Sequence, residues 1–309
     1  MGLMRRAILK ASQSAWMRER APRYAFFRRT TRRFMPGETV QDALTASREL
    51  AKKSIGSVLT HLGENIADRA EAEGVARHYL DVLDKIRAGN LPVEISVKLT
   101  QLGLDLDREF CFVNLAKLIE HCPPEKTLWI DMEQSPYVDA TLELYRRARK
   151  AYKNVGLCVQ AYLYRTERDL ESLIPFGAAV RLVKGAYNEP PHVAIPKKRD
   201  MDENYFALAQ ELLRAKKEDR CARAAFATHD VALIRRIFEA ASREGFSEKD
   251  LEVQMLYGIQ RAEQERLAGE GCRTGVLVSY GSYWYPWFVR RLAERPANLW
   301  FLARNIFAG

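Results

Sequence analysis

The sequence predicts an α/β fold, a (β/α)8 barrel of the TIM type preceded by an N-terminal helical arm. Three observations lead there. Eight short β-branched runs recur along the chain, and amphipathic helical stretches separate them. The runs are nearly continuous apolar segments, as expected of parallel strands covered on both faces. Eight such units also fill about the 250 residues that one closed barrel usually takes.

Taken in order, a polar helical stretch from about 38 to 53 leads into the first run, SIGSVLTHLG. LPVEISVKLT, KTLWIDME and NVGLCVQAY follow, centred near 96, 130 and 158. AAVRLVKGAY, RAAFATHD, DLEVQMLYG and TGVLVSYG complete the eight, near 182, 226, 254 and 278. Stretches such as ATLELYRRARKAYKN and NYFALAQELLRAKKE lie between them with helical periodicity. Residues 1–53 are therefore assigned to the arm and 54–309 to the barrel domain.

Composition narrows the class of protein. Of 309 residues, 47% are hydrophobic and 29% charged, enough for a core and too apolar for disorder. No run of about 18 uninterrupted apolar residues is present, so no membrane-spanning helix is expected. The five cysteines are dispersed without a C-x-x-C pair, which reads as reduced thiols and a cytoplasmic location. The five histidines lack metal-ligand spacing, so no metal is expected. The formal charge is +9, and residues 1–35 carry many Lys and Arg against a single Glu19. Trp16, Tyr24, Phe26, Phe27 and Phe34 interleave with those cations. Such an arm packs its rings on the main domain or lies on an anionic membrane surface at the inner face of the cell; nucleic acid is not the expected partner.

Within a barrel, polar residues at the C-terminal strand ends carry the chemistry. Those residues are Glu64, Lys98, Thr100, Asp131, Glu133, Gln160, Arg181, Lys184, Thr228, His229 and Asp230. After the last run comes GSYWYPWFVRRLAERPAN, read as a helix beginning after Ser282. At about 100° per residue, Trp287, Arg290, Arg291 and Glu294 share one face of it. A paired guanidinium face next to a barrel mouth suits carboxylate or phosphate oxygens. The cations Lys98, Arg181, Lys184, Arg290 and Arg291 point to an anionic substrate, an anionic cofactor, or both. Chemistry alone goes no further.

The collinear series SVKLTQLGLDLD, WIDMEQSPYVDATLELYR, VQAYLYRTERDLE, VRLVKGAYNEP, FATHD, VQMLYGI and VRRLAERPAN resembles the proline dehydrogenase family, from roughly Glu38 to Asn298. The resemblance is to its short monofunctional bacterial members. It implies a distorted (β/α)8 barrel holding FAD, with the last helix over the active site. It also implies oxidation of L-proline to Δ1-pyrroline-5-carboxylate by hydride transfer to flavin N5, electrons then passing to quinone. By resemblance, Lys98, Arg290 and Arg291 hold the substrate carboxylate, Asp131 is the active-site aspartate, and Tyr187 and Leu256 line the pocket. Glu64 pairs with Arg290 and gates the site. Gln160, Arg181, Val183, Lys184, Gly185, Thr228 and His229 match flavin-binding positions, with Arg181 near flavin N5 and Glu294 in an ion pair near the flavin.

Two positions depart from the family pattern. The usual strand-eight motif V-Y-V-P-Y-G reads VLVSYG here, placing Leu277 at a tyrosine position. Trp287 replaces a second tyrosine, three residues before Arg290. Both positions wall the substrate ring in the family. The change implies a more apolar pocket, and alternatives to proline are hydroxyproline or another cyclic amino acid. A non-catalytic flavin-binding barrel is the remaining alternative.

Overall fold

The structure, a computed structural model, describes residues 31, 33–63 and 66–285. Its strands are β1 (Gly56–His61), β2 (Val93–Val97), β3 (Leu128–Ile130), β4 (Val155–Gln160), β5 (Ala179–Val183), β6 (Arg223–Ala227), β7 (Glu252–Leu256) and β8 (Arg273–Tyr280). They form one closed barrel in sequence order. Every pairing is parallel, and β1 meets β8 in register from Gly56–Gly275 to His61–Tyr280. All eight predicted runs are strands.

The helices are α1 (Val40–Ala51), α2 (Arg69–Ala88), α3 (Arg108–His121), α4 (Val138–Ala151), α5 (Thr166–Leu173), α6 (Lys198–Lys217), α7 (Val231–Arg243) and α8 (Arg261–Gly269). Short polar side chains start several of them. Thr39 and Asp42 form a reciprocal capping box on α1, while Asp68, Asp107 and Asp230 cap α2, α3 and α7. Each cap satisfies backbone N–H groups that the first turn leaves without partners.

One helix is out of the regular order. In a simple barrel, the helix after the eighth strand covers the flank between strands eight and one. Here α1 packs against β1 and β8 and occupies that flank. Residues just before α1 cross the C-terminal rim: Phe34 and Met35 are buried, and Gly258, at φ +78°, sits under the Arg33 carbonyl. A Cβ at Gly258 would lie 1.7 Å from that oxygen. Trp284 is helical, is buried, and donates from Nε1 to Glu38 Oε1 at 2.9 Å. The helix start expected after Ser282 is thus seen at Trp284 and Tyr285, beside the start of α1.

Inside the barrel, side chains stack in layers. Toward the N-terminal strand ends, Arg223 bonds Glu252 through Nε and Nη2, both at 2.7 Å, and Glu94 through Nη1 at 2.6 Å. A cavity of about 250 Å³ opens beside this layer, lined by Ser57, Glu94, Arg223, Glu252, Gln254 and Arg273. Next comes an apolar layer of Val58, Trp129, Ala225 and Leu277. Trp129 donates from Nε1 to Glu94 Oε2 at 2.8 Å. Its ring lies 4.9 Å from the Arg223 guanidinium and 5.1 Å from that of Arg181. Gly156 makes room for it, since a Cβ there would come within 2.6 Å of the indole.

Burial opposes ionisation of Glu252, but Arg223 more than offsets it and holds the carboxyl below its usual range. The stability tied to that carboxylate is present above the unfolded-state range and is lost as pH falls. Arg223→Ala leaves Glu94 and Glu252 without their main counter-charge. It is expected to cost about 3–5 kcal/mol near neutral pH. Urea unfolding checks this, and the gap from the unsubstituted chain should narrow toward pH 4 as the carboxyls take up protons.

Candidate active site

The C-terminal strand ends bring together most of the residues singled out from the sequence. Lys98 follows β2, and Asp131 follows β3. Arg181 points inward from the middle of β5 and is 3% exposed. The Arg181 Nη2 group donates to Asp131 Oδ1 and, at 2.7 Å, to Ser96 Oγ. Ser96 in turn donates to Asp131 Oδ1 at 2.8 Å. On its other oxygen, Asp131 faces Lys98 Nζ at 3.9 Å. A buried arginine and a half-buried lysine therefore share one carboxylate. Burial opposes the charge on Arg181, but Asp131, with Cys158 and Glu94, outweighs it, so the guanidinium stays protonated.

Ten buried side-chain polar atoms among the described residues have no hydrogen-bond partner, and two of them meet on adjacent strands here: Gln160 Oε1 at the end of β4 and Arg181 Nη1 on β5. Gln160 uses its Nε2 on the Met132 carbonyl, 3.2 Å away. Buried polar atoms left unpaired are costly, and a water or a ligand entering from the mouth would supply the missing partners.

The neighbouring ends complete the rim. Glu133 accepts from Thr100 N at 3.2 Å and Thr100 Oγ1 at 2.7 Å, and burial pushes its carboxyl up. Val183 closes β5, and Lys184 after it bonds Asp202 at 2.5 Å and Asp230 at 3.0 Å. Gly185 holds φ +110° against the Tyr162 ring, where a Cβ would come within 2.1 Å. Tyr187 follows, half-buried. Thr228 Oγ1 accepts from Asp230 N at 3.2 Å, and His229 Nε2 accepts from Leu256 N at 2.8 Å. His229 thus ties β6 to β7 while Asp230 caps α7. Leu277 faces the barrel interior against Trp129. Glu64, Trp287, Arg290, Arg291 and Glu294 lie outside the described residues.

Some residues at the mouth escaped the sequence reading. Ser96 is one, because a lone serine inside an apolar run carries no signal until strand phase is known. Asp202 is another, since it reaches the mouth from α6 rather than from a strand end. A third group forms at the end of β1. The His61 and His78 rings lie 4.5 Å apart, and His78 Nε2 is 2.7 Å from the Tyr280 hydroxyl. Tyr79 from α2 fixes this corner, accepting from His61 N at 2.9 Å and donating to the Ser96 carbonyl at 3.0 Å.

Comparisons with known proteins fit this arrangement. The family model described as proline dehydrogenase matches residues 43–304. The chain belongs to the proline dehydrogenase family. Its members are oxidoreductases. Proline dehydrogenase 1 of Bacillus subtilis subsp. natto is 33% identical over 305 residues, covering 98% of this chain and 99% of that protein. Proline dehydrogenase of Deinococcus radiodurans is 34% identical over 283 residues, covering 90% of each. Among solved structures, proline utilization A of Bdellovibrio bacteriovorus, inactivated by N-propargylglycine, superposes with a TM-score of 0.79 at 25% identity. That match covers 87% of this chain and 33% of the larger protein.

Burial, with His78 and Lys98 adding to it, lowers the His61 pKa to about 4. A folded-state value below the unfolded 6.5 means the native state resists protonation. Stability is then full above pH 6.5 and lost as pH falls toward 4. Urea midpoints should decline over that window, and the decline should be smaller in His61→Gln.

Proposed function

We propose that this chain oxidises L-proline to Δ1-pyrroline-5-carboxylate, with FAD as bound cofactor and quinone as electron acceptor. One observation carries the reading: Lys98 and the buried Arg181 share a single aspartate at the mouth of a barrel whose sequence belongs to this family. The unpaired Gln160 Oε1 and Arg181 Nη1 support a ligand bearing its own donors and acceptors, as a flavin ring does. Gln160, Arg181, Val183, Lys184, Gly185, Thr228 and His229, with Glu294, would hold that group. When bound, the flavin supplies a hydride acceptor.

The remaining steps belong to the side chains. Lys98, Arg290 and Arg291 grip the substrate carboxylate, with Glu64 paired to Arg290 at the entrance. Tyr187, Leu256, Leu277 and Trp287 wall the ring and keep water from it. Cations gathered around the carboxylate disfavour a second positive charge on the ring nitrogen, so the amine binds in its neutral form, from which hydride leaves readily. Arg181, held cationic by Asp131, stabilises negative charge that develops above it.

A second reading rests on Leu277. It belongs to the apolar layer with Val58 and Trp129 and offers no hydroxyl to the ring. That favours a related cyclic amino acid, hydroxyproline or a larger analogue, as substrate of the same chemistry.

Anaerobic titration of the purified flavoprotein separates these readings. Bleaching of the flavin by L-proline, at a rate rising with pH through the amine's titration, is expected. Bleaching only by another ring transfers the activity to that ring; flavin that no cyclic amino acid bleaches leaves a binding barrel. Lys98→Met should raise KM by about 10- to 150-fold, the equivalent of about 1.5–3 kcal/mol for one charge-assisted contact.

The basic aromatic arm gives the reaction a place. We propose that residues 1–35 dock on anionic lipid, where quinone resides. Among the described residues no helix is long and apolar enough to cross a membrane. Co-sedimentation with anionic vesicles should be lost on deleting residues 1–35 and weakened by salt.

A further inference from the structure

We propose that Ser96 is the positioning residue of this mouth: its hydroxyl holds Arg181 and Asp131 in a single-point pairing and so keeps one amino group of Arg181 free for the flavin. The proposal rests on the functional reading above and assigns a role to a residue to which the family resemblance gave none.

Ser96 is fully buried on β2, two residues before Lys98, so both side chains fall on the inward face of the strand. A hydroxyl has one proton and two lone pairs. The Ser96 proton goes to Asp131 Oδ1 at 2.8 Å, and a lone pair receives Arg181 Nη2 at 2.7 Å. Nη2 also donates to the same Oδ1, so both hydrogens of that amino group are engaged. An arginine and a carboxylate left to themselves commonly form a two-pronged fork. Here Ser96 takes the place of the second prong. Asp131 Oδ1 is held by two donors, Oδ2 is left toward Lys98, and Arg181 Nη1 is left unpaired.

The frame around the serine is stiff. Tyr79 bonds its carbonyl at 3.0 Å, and the Trp129 ring lies 5.1 Å from the Arg181 guanidinium. Without the hydroxyl, Asp131 is free to turn and engage both amino groups of Arg181. Nη1 is then consumed, and Oδ2 moves off Lys98. Less positive charge reaches the flavin, and its reduced form is less stabilised.

The test compares the full-length flavoprotein with Ser96→Ala, Ser96→Thr, Asp131→Asn and the Ser96→Ala/Asp131→Asn double variant. Flavin midpoint potential, kcat, KM for proline and thermal unfolding are measured on each. Ser96→Ala should shift the potential to more negative values and lower kcat by about tenfold, or about 1.4 kcal/mol of activation free energy, with KM changed less. Ser96→Thr, which keeps the hydroxyl, should restore both. On the Asp131→Asn background the alanine should add little, because the serine acts through that carboxylate. A Ser96→Ala protein with unchanged potential and kcat overturns the proposal, as does a loss fully additive with Asp131→Asn or one that merely tracks a lowered unfolding temperature. If the unsubstituted chain binds no flavin or is not reduced by proline, the functional reading falls first and takes this inference with it.

Discussion

The pairing of Arg181 with Asp131 is the constraint around which the barrel interior is built. A guanidinium 3% exposed costs several kcal/mol in lost hydration unless geometry and hydrogen bonds compensate. Compensation comes from three strands at once: Ser96 on β2, Asp131 after β3 and Arg181 on β5. These contacts set how far β2, β3 and β5 rise relative to one another, and hence where Lys98 and Gln160 stand. The Trp129 layer then separates this charge from the Arg223 network at the N-terminal end. Two ionic layers with an indole between them make a sealed floor beneath the mouth, and Gly156 exists to admit that indole.

The second constraint is the displacement of the eighth-helix position. The flank between β8 and β1 is covered by α1. Trp284 instead begins its turn at the rim, fastened to Glu38 at the head of α1. The crossing of residues 33–35 over Gly258 ties the same rim to β7. The N-terminal helix thus does more than extend the barrel: it closes the β8–β1 flank and anchors Trp284 at the rim.

Strand count and order were legible because each strand must present an apolar outer face to a helix, and Val, Ile and Leu at alternate positions announce it. What the same run hid was its inner face. VEISV reads as apolar, yet Glu94 and Ser96 point inward into two different ionic layers. RAAFA and EVQML likewise conceal Arg223 and Glu252. A charged residue in a strand looks like a boundary in one dimension and becomes a buried partner only after closure brings β2, β6 and β7 together. Lys98, Asp131, Gln160 and Arg181 were legible because strand ends are where a barrel keeps its chemistry. Asp202 and the His61–His78–Tyr280 corner were not, since α6 brings in Asp202 and α2 brings His78 to the ends of β1 and β8. Leu277 and Lys184 show the limit in reverse: both were noticed, but packing against Trp129 and pairing with two aspartates set what each offers a ligand.

Charge balance at the mouth carries the synthesis one step further. Lys184 and Lys198 face Asp202 and Asp230, two cations against two anions, so Lys184 can offer a ligand a donor but little net charge. Lys98 and Arg181 face Asp131 alone. Glu133 stands near Lys98 as well; burial pushes its carboxyl up, while the Thr100 hydrogen bonds and the Lys98 charge act the other way. Among the described residues, two cations thus share one ion-paired carboxylate beside β2 and β5, with the Trp129 ring 5.1 Å from the Arg181 guanidinium. Such sharing is costly where the cations are partly desolvated. An anionic group arriving from the mouth relieves it, and the group relieved most directly is one that meets Lys98 while a second, electron-accepting ligand meets Arg181. In the proposed reaction a substrate carboxylate would meet Lys98 and the flavin would meet Arg181, with Asp131 between the two.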